Sequence, residues 1–496
     1  MSLINISNLT FGYDGSYENI FENVSLRLDT DWKLGFTGRN GRGKTTFLKL
    51  LMGMEEYRGS ITSDVKFDYF PFKINDRSMF PADIAAEINP EAEYWQIQKE
   101  LNLLGVDADI LYRPFETLSN GERTKFMLAI MFTRQDNFLL IDEPTNHLDT
   151  EGRRKVSEYL NSKKGFILVS HDRSFMDNCI DHILSINRTN IELYQGDFST
   201  WFENKTRRDN FEINENIKLK REISKLTQAA KRSAAWADKT EKGKYRDNNK
   251  NSEGFFDRGF VGHKAAKAMK RSKNIEARRE KAAEEKSELL KNIESKEELK
   301  IAPIKFTGEI LTVKDLAVKY DGRIINEPVS FGIEYGDRAL IRGVNGCGKS
   351  SIIKAVAEGG IEFEGDIQTG RGFTVSYVPQ DTSFLSGSLR EFAEKRGIDE
   401  SLFKTILRKM DFPRREFDMN LETYSEGQKK KVLIAASLCD RAHLYVWDEP
   451  LNYIDIFSRM QIEELIAEYK PTMLFVEHDM EFSENTATKI IELQRK

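Results

Sequence analysis

The chain has 496 residues, with 75 Lys and Arg against 80 Asp and Glu, so its formal net charge at pH 7 is −5. Hydrophobic residues make up 39% and aromatic residues 11%, which is enough apolar material for packed cores and excludes a wholly disordered chain. The amino terminus lacks the pattern of a secretory signal and no run of eighteen apolar residues occurs, so we expect neither secretion nor membrane spanning. Three scattered cysteines predict no disulfide framework or zinc site and fit the cytoplasm.

The first segment, residues 1–204, alternates short apolar runs with helix-like stretches. Runs such as Asn137–Ile141 and Gly165–Ser170 predict buried strands of a largely parallel sheet, and therefore an α/β fold. Gly38–Thr45 has the phosphate-loop pattern G-x-x-x-x-G-K-[ST], in which backbone N–H groups surround phosphate oxygens. The segment therefore predicts a nucleotide-binding domain.

The middle segment, residues 205–300, is rich in Lys, Glu, Ala, Asn and Arg and predicts a hairpin of two long polar helices. We call it the connecting segment, and Gly and Asn residues place its tip near residues 244–260. Lys225–Lys273 carries 14 basic and five acidic residues. Because basic groups neutralise phosphates and exposed rings stack on unpaired bases, this composition predicts RNA contact; a solvated hairpin with self-packed rings is the alternative. The candidate contacts are Lys244, Tyr245, Phe255, Phe256, Lys264, Lys267, Lys270 and Arg271.

The last segment, residues 301–496, repeats the motifs of the first segment in the same order. Gly38 and Leu118, where two motifs begin, are 80 residues apart, and their counterparts Gly343 and Tyr424 are 81 apart. The repeated sequences are GRNGRGKTT and GVNGCGKSS, LSNGE and YSEGQ, IDEPTNHLD and WDEPLNYID, and VSHD and VEHD. The chain is therefore a duplication, and we call residues 1–204 the first module and residues 301–496 the second module.

The two phosphate loops predict two sites for a nucleoside triphosphate. In each loop the lysine, Lys44 or Lys349, would reach the outer phosphates. The hydroxyl of the next residue, Thr45 or Ser350, would bind Mg²⁺. Two matches at equivalent places in a repeat make a chance pattern negligible.

An Asp-Glu pair follows one buried strand of each module. The aspartates, Asp142 and Asp448, can hold Mg²⁺, while Glu143 and Glu449 orient or deprotonate the attacking water. Two acids that merely cap a strand are the alternative. Matched histidines follow the next strand of each module and predict contacts to the terminal phosphate: His171 and His478.

The segments that begin at Leu118 and Tyr424 resemble the signature sequence of ATP-binding-cassette (ABC) proteins. Two such cassettes in one chain, joined by a charged helical segment, resemble the ABC-F family over nearly the whole length. The resemblance implies tandem P-loop nucleotide-binding domains of α/β fold that pair within one monomeric chain, with ATP and Mg²⁺ as ligands. The predicted ATP-binding residues are Tyr13, Gly38, Asn40, Gly41, Gly43, Lys44, Thr45, Thr46, Tyr320, Gly343, Asn345, Gly346, Gly348, Lys349, Ser350, Ser351, Ser119, Gly121, Ser425 and Gly427.

In this family each ATP is held between the phosphate loop of one cassette and the signature of the other. The resemblance thus implies that Lys44 and Thr45 face Ser425 and Gly427, and that Lys349 and Ser350 face Ser119 and Gly121. Tyr13 and Tyr320 match the adenine-stacking ring, and residues 146–149 and 452–455 match a loop that crosses the interface. Gln380 matches a glutamine that contacts Mg²⁺ and water. Its first-module counterpart is Phe72, an apolar ring that can neither donate nor accept, so the two sites are expected to be unequal.

Residues 257–273 and the WDEPLNYID segment resemble the Lsa-type branch of ABC-F antibiotic-resistance proteins. This implies an ATPase that binds the ribosomal tRNA exit site, with large-subunit rRNA and peptidyl-site tRNA as partners. It also implies protection from lincosamides, streptogramin A compounds and pleuromutilins, with ATP hydrolysis controlling release. Two alternatives remain, a housekeeping ABC-F translation factor that relieves stalled ribosomes and an ATPase subunit of a transporter.

Overall fold

The computed structural model describes most of the chain and divides it into two compact units. One unit is Met1–Ser199 with Lys296–Lys496, and the other is Thr200–Ser295. The boundaries between the modules and the connecting segment stay predictions. The described residues are 2–13, 19–134, 137–146, 148–187, 190–243, 267, 270, 273–275, 277, 278, 280, 281, 298–320, 322–370 and 372–496.

The described part of the first module contains nine strands and six α-helices before the long helix of the connecting segment. The strands are β1 Leu3–Phe11, β2 Phe21–Asp29, β3 Lys33–Thr37, β4 Arg58–Thr62, β5 Lys66–Phe70, β6 Asn137–Asp142, β7 Phe166–Val169, β8 His182–Ile186 and β9 Ile191–Gln195. The helices are α1 Lys44–Leu51, α2 Pro81–Ile88, α3 Tyr94–Leu103, α4 Asn120–Met131, α5 Thr150–Asn161 and α6 Arg173–Cys179. Short 3₁₀ helices span Ala108–Tyr112 and Phe115–Thr117.

Two sheets form the body of the first module. One has the strand order β5-β6-β7-β3-β8-β9, in which all neighbours are parallel except β8 and β9. The other is antiparallel, with the order β2-β1-β4. Strand β7 is buried along its whole length, as expected for a parallel sheet that is covered on both faces.

The core of the first module lies where residues of both sheets meet helix α1. Ile4 and Leu9 of the antiparallel sheet, Leu34 and Phe36 of β3, and Phe47 of α1 are all fully buried there. Burial of each such side chain contributes roughly 1.5–3 kcal/mol relative to exposure. Because α1 begins directly after the phosphate loop, this packing fixes the position of the loop.

The second module repeats this architecture. Its strands are β10 Glu309–Tyr320, β11 Arg323–Ile324, β12 Val329–Glu334, β13 Arg338–Arg342, β14 Phe363–Thr369, β15 Val375–Val378, β16 Leu444–Asp448, β17 Met473–Val476 and β18 Lys489–Glu492. Its helices are α8 Lys349–Ala357, α9 Leu389–Arg396, α10 Glu400–Lys409, α11 Glu426–Cys439, α12 Ile456–Tyr469 and α13 Met480–Thr486, with 3₁₀ helices at Arg414–Asp418 and Leu421–Thr423. The parallel sheet has the order β15-β16-β17-β13-β18, and β10 pairs with β11, β12 and β14 in an antiparallel sheet.

The described part of the connecting segment is dominated by helix α7, Phe198–Gly243, which has 46 residues. At 1.5 Å per residue it extends about 69 Å. Lys267 and Lys270 are also helical and exposed. The predicted tip, residues 244–260, lies outside the described residues. In the described part of the chain, no helix combines the length and apolarity that a membrane span requires.

Candidate functional site: two ATP sites between the modules

Each phosphate loop is a turn that leads into the first helix of its module. Gly43 and Gly348 precede α1 and α8 with φ of 90° and 96°, a conformation that glycine adopts without strain. A Cβ on Gly43 would lie 2.6 Å from Ile20 Cγ2, so only glycine fits. The exposed N–H groups of a helix start favour bound anions, which fits the phosphate-binding prediction.

The two loop lysines are buried and fold back over their own loops. Lys44 Nζ donates to Gly38 O at 2.6 Å and to Arg39 O at 3.3 Å. Lys349 Nζ makes the same pair of contacts, to Gly343 O at 2.8 Å and to Val344 O at 3.1 Å. Burial lowers the pKa of Lys44, although the nearby carboxylates oppose this effect. Both ammonium groups therefore stand inside the loops where the phosphates are expected.

The predicted Mg²⁺ ligands meet at the carboxyl ends of the parallel strands. Thr45 Oγ1 lies 3.1 Å from Asp142 Oδ2, and Ser350 Oγ lies 3.1 Å from Asp448 Oδ1. Burial raises the pKa of Asp142, and burial with the neighbouring Glu449 raises the pKa of Asp448 to about 6. Among the described residues nothing donates a hydrogen bond to the buried Asp448 Oδ2. A hydroxyl beside a buried carboxylate oxygen is a donor set that suits Mg²⁺.

Each candidate catalytic glutamate faces the histidine that follows the next strand. Glu143 Oε1 lies 3.4 Å from His171 Nε2, and Glu449 Oε1 lies 3.4 Å from His478 Nε2. The repeat therefore brings each of these pairs together with the same geometry. Burial lowers the pKa of His171 well below its usual range, so this ring is neutral.

The two glutamates differ in their surroundings. Gln380 Nε2 and Asn452 Nδ2 each donate to Glu449 Oε2 at 2.7 Å. Burial opposes ionisation, but His478 and Gln380 outweigh it and lower the pKa of Glu449 to about 2. Burial and the neighbouring Asp142 instead raise the pKa of Glu143 to about 8. Near neutral pH, Glu449 is therefore ionised, whereas Glu143 is mostly protonated.

The counterpart of Gln380 in the first module is the half-buried Phe72. A different polar group lies nearby, because Tyr69 OH donates to Asp142 Oδ2 at 2.8 Å. In the second module the matching Tyr377 OH is buried and has no hydrogen-bond partner among the described residues. The sequence analysis missed Tyr69, although its place three residues before Phe72 was a usable signal.

Both signature segments begin a helix with a reciprocal cap. Ser119 Oγ accepts from Glu122 N at 3.2 Å while Ser119 N donates to Glu122 Oε2 at 2.8 Å. Ser425 and Gln428 form the same capping box at the start of α11. Glu122 thus performs the capping role that a glutamine performs in the second module.

The first composite site, which we define as the phosphate loop of the first module with the signature helix α11 of the second, is in close contact. Asn40 Nδ2 donates to Tyr453 O at 2.8 Å, across the module interface. A Cβ on Gly427 would lie 2.5 Å from Tyr453 O and 3.1 Å from Asn40 Nδ2. The structure thus brings the loop that contains Lys44 and Thr45 against the signature residue Gly427.

The second composite site, the phosphate loop of the second module with helix α4 of the first, encloses a cavity of about 1070 Å³. This volume lies at the upper end of the range of ligand pockets. The predicted residues that line it are Ser119, Gly121, Tyr320, Asn345, Gly346, Gly348, Lys349, Ser350, Ser351, Gln380, Glu449 and His478. Asp149, from the crossing loop, also lines the cavity.

The two candidate adenine-stacking rings are exposed and anchored. Tyr13 is 44% exposed and its hydroxyl lies 2.9 Å from Thr46 Oγ1. Tyr320 is 49% exposed and its hydroxyl lies 3.1 Å from Ser351 Oγ. Each ring therefore stands beside its phosphate loop with a face available for stacking.

The candidate contacts of the connecting segment remain predictions. Lys267 and Lys270 are exposed. The remaining candidates lie outside the described residues: Lys244, Tyr245, Phe255, Phe256, Lys264 and Arg271.

The chain is similar to known proteins over nearly its whole length. The family described as "ABC transporter" matches residues 21–146 and 326–452, together about half of the chain. The ATP-binding protein Uup of Buchnera aphidicola is 27% identical, over 99% of this chain and 80% of its own length. The ribosome protection protein VmlR of Bacillus subtilis is 25% identical, over 98% of this chain and 85% of its own length.

A solved structure supports the predicted fold class. The archaeal ribosome recycling factor aABCE1, in its complex with the stalk protein aP1, has a TM-score of 0.63 at 18% identity. The match covers 98% of this chain and 87% of that chain. The prediction of two tandem P-loop domains of α/β fold is therefore confirmed.

Proposed function

Because the chain belongs to the ABC transporter family, and within it to the ABC-F proteins, we propose that it is a cytoplasmic ATPase that protects ribosomes from antibiotics. It would bind the tRNA exit site and contact large-subunit rRNA and peptidyl-site tRNA. The drugs concerned act at the peptidyl-transferase centre and comprise lincosamides, streptogramin A compounds and pleuromutilins. The observation that carries the proposal is the pair of composite sites, each of which combines the phosphate loop of one module with residues of the other.

The chemistry of hydrolysis follows from the residues of each site. Lys349 and the N–H groups at the start of α8 would bind the phosphates, and Ser350 with Asp448 would hold Mg²⁺. Mg²⁺, when bound, neutralises negative charge on the phosphate oxygens. Glu449 would accept the proton of the attacking water, while Gln380 and Asn452 orient its carboxylate.

The ribosome assignment rests on two supports. VmlR, a ribosome protection protein by name, matches nearly the whole chain. The connecting segment supplies the second support, because 14 basic residues between Lys225 and Lys273 stand against five acidic ones in a chain that is acidic overall. Such a local excess of positive charge binds nucleic acid by releasing counterions.

Drug susceptibility tests the proposal directly. A host that expresses the chain should grow at higher concentrations of lincosamides, streptogramin A compounds and pleuromutilins than a host with an empty vector. The double variant Glu143→Gln with Glu449→Gln should abolish this protection and remain bound to ribosomes, because hydrolysis would control release. ATP hydrolysis without any change in susceptibility would favour the housekeeping translation factor instead.

A charge variant tests ribosome contact. Replacing Lys264, Lys267, Lys270 and Arg271 with Glu should weaken co-sedimentation with ribosomes and flatten its dependence on salt by about one unit of slope per lost phosphate contact. ATP turnover by the free protein should stay within about twofold, because these residues lie far along the chain from both phosphate loops. Replacing Lys489, an exposed lysine of β18, with Glu serves as the control. Ribosome binding that changes neither with the substitutions nor with the salt concentration would contradict the proposed contact.

A further inference from the structure

A cluster of charges joins the modules at the first composite site. Arg42 Nη2 lies 3.5 Å and Arg39 Nε 3.7 Å from Asp411 Oδ2, so two arginines of the first phosphate loop share one carboxylate of the second module. Arg39 is 4% exposed, and its guanidinium also lies 5.4 Å from the ring centre of Phe457. We call this group the loop clasp.

The second composite site has neutral residues at the equivalent positions. In the second phosphate loop, Val344 and Cys347 stand where Arg39 and Arg42 stand in the first. Gly105 takes the place of Asp411, and both residues follow a helix with left-handed φ, 65° and 57°. The loop clasp therefore exists on one side of the interface only.

A second ionic contact between the modules starts from the segment that follows the candidate histidine of the first module. Arg173 follows His171 in the first module, is 6% exposed, and pairs with Glu463 of α12. Its Nε also lies 3.1 Å from Glu481 Oε2 of α13. We call this group the helix clasp, and it ties the element after the first-module histidine to two helices of the second module.

The pseudo-symmetric positions of the helix clasp are again neutral. Met480 replaces the arginine, because it follows Asp479 as Arg173 follows Asp172. Ser157 and Ser174 occupy the positions of Glu463 and Glu481. These three residues line a small cavity of about 60 Å³. Arg153, Arg154 and Asp172 line the same cavity. The ion pairs of both clasps thus have neutral residues at their pseudo-symmetric positions.

From this pattern we propose that the two clasps keep the first composite site closed while the second site opens to exchange nucleotide. The proposal rests on the proposed function, since it assumes that both sites bind ATP. Arg173 and Glu463 form a largely buried charge pair, and removing one partner of such a pair acts mainly on dissociation. The clasps should therefore slow the release of whatever the first site encloses. The second site, which has neutral residues at the positions that form the clasps, would serve as the entrance.

Release of labelled ATP tests this asymmetry. The full chain carrying Glu143→Gln and Glu449→Gln, loaded with labelled ATP and chased with unlabelled ATP, should release label in two phases that differ at least tenfold in rate. Adding Lys44→Ala should remove the slow phase, and adding Lys349→Ala should remove the fast phase. This assigns each phase to one site.

The clasps are then removed by replacing their residues with those found at the pseudo-symmetric positions. Asp411→Gly with Arg173→Met should accelerate the slow phase at least tenfold and leave the fast phase unchanged. Asp411→Asn, which keeps the shape of the side chain, should accelerate it several-fold and guards against misfolding of the larger change. Arg390→Met, which removes a surface pair with Glu394, is the matched control and should alter neither phase.

A gain of charge on the opposite side completes the test. Gly105→Asp with Val344→Arg should slow the fast phase, because it builds a loop clasp at the second composite site. A slow phase that keeps its rate in both Asp411 variants would overturn the proposal. Binding of fewer than two ATP molecules by the unaltered chain would instead refute the proposed function, whereas two ATP molecules released at one rate would refute the clasps alone.

Discussion

The two composite sites contain matching motifs, yet they differ in almost everything that surrounds those motifs. In the first, Asn40 contacts Tyr453 across the interface and charged residues join the modules. In the second, the modules enclose a cavity of about 1070 Å³, and Glu449 is oriented by Gln380 and Asn452. The difference teaches that duplication preserved the groups that are predicted to contact the phosphates, while the residues around those groups diverged.

The largest expected effect is on the free energy of unfolding of the second module, and it concerns the loop 452–455, which faces the first composite site. Asp455 is fully buried and pairs with Lys431 at 2.7 Å. Lys431→Met would leave a buried carboxylate unpaired and should lower the free energy of unfolding of the second module by about 3–5 kcal/mol. Lys125→Met, at the matching position of the first module where the lysine is half-buried, should change stability by less than about 1 kcal/mol. Urea unfolding followed by hydrogen exchange of each module measures the change in free energy of unfolding for both variants. Equal destabilisation by the two substitutions would contradict this difference between the two loops.

The same pair predicts a dependence on pH. Burial opposes ionisation, but Lys431 and Arg39 outweigh it and hold the pKa of Asp455 well below its usual range. An aspartate titrates near about 3.9 in the unfolded chain, so its stabilising contribution is complete above that pH and is lost as the pH falls below it. Asp455→Asn should therefore flatten the loss of second-module stability below about pH 4. An acid transition unchanged by the substitution would show that other carboxylates dominate.

The next effect compares the two glutamates. Glu449→Gln should lower steady-state ATP turnover by at least about 100-fold, because its carboxylate is ionised and oriented. Glu143→Gln should lower turnover by less than about tenfold, because Glu143 Oε1 is buried without a hydrogen-bond donor among the described residues. Single-turnover hydrolysis by each variant gives the two rates, and equal losses would mean that the sites hydrolyse ATP equally.

A smaller effect should follow from exchanging Gln380 and Phe72, the residues at matching positions beside the two glutamates. Gln380→Phe should lower second-site hydrolysis about tenfold, since it removes one of the two donors to Glu449. Phe72→Gln, in a chain that also carries Glu449→Gln, should raise first-site hydrolysis several-fold. Both are followed as phosphate release in one turnover. If neither exchange changes the rate, the difference in hydrolysis between the two sites has another cause. Tyr69, which donates a hydrogen bond to Asp142, is then the next residue to substitute.

Much of each site could be predicted because its residues belong to contiguous motifs. The phosphate loops, the Asp-Glu pairs and the histidines each follow a strand, and strand ends of a parallel sheet meet at one edge. Asp411 could not be predicted, because its partners Arg39 and Arg42 lie more than 360 residues away and no motif links them. The segment 452–455, which contains Tyr453, is expected to cross the interface, but its particular contact to Asn40 could not be predicted, because it uses a backbone carbonyl that any residue could supply.

The conformation of the two glutamates has a consequence for protein engineering. Glu143 and Glu449 have φ of 51° and 46°, and each is anchored by its backbone N–H, to Val169 O and Val476 O. A non-glycine residue in this region costs roughly 1–2 kcal/mol, which glycine would not incur. A laboratory selection for thermal stability alone would therefore favour glycine at both positions. The resulting chain would be more thermostable but would lack both carboxylates. Anyone who seeks a thermostable active form must hold these two codons fixed and find the added stability elsewhere.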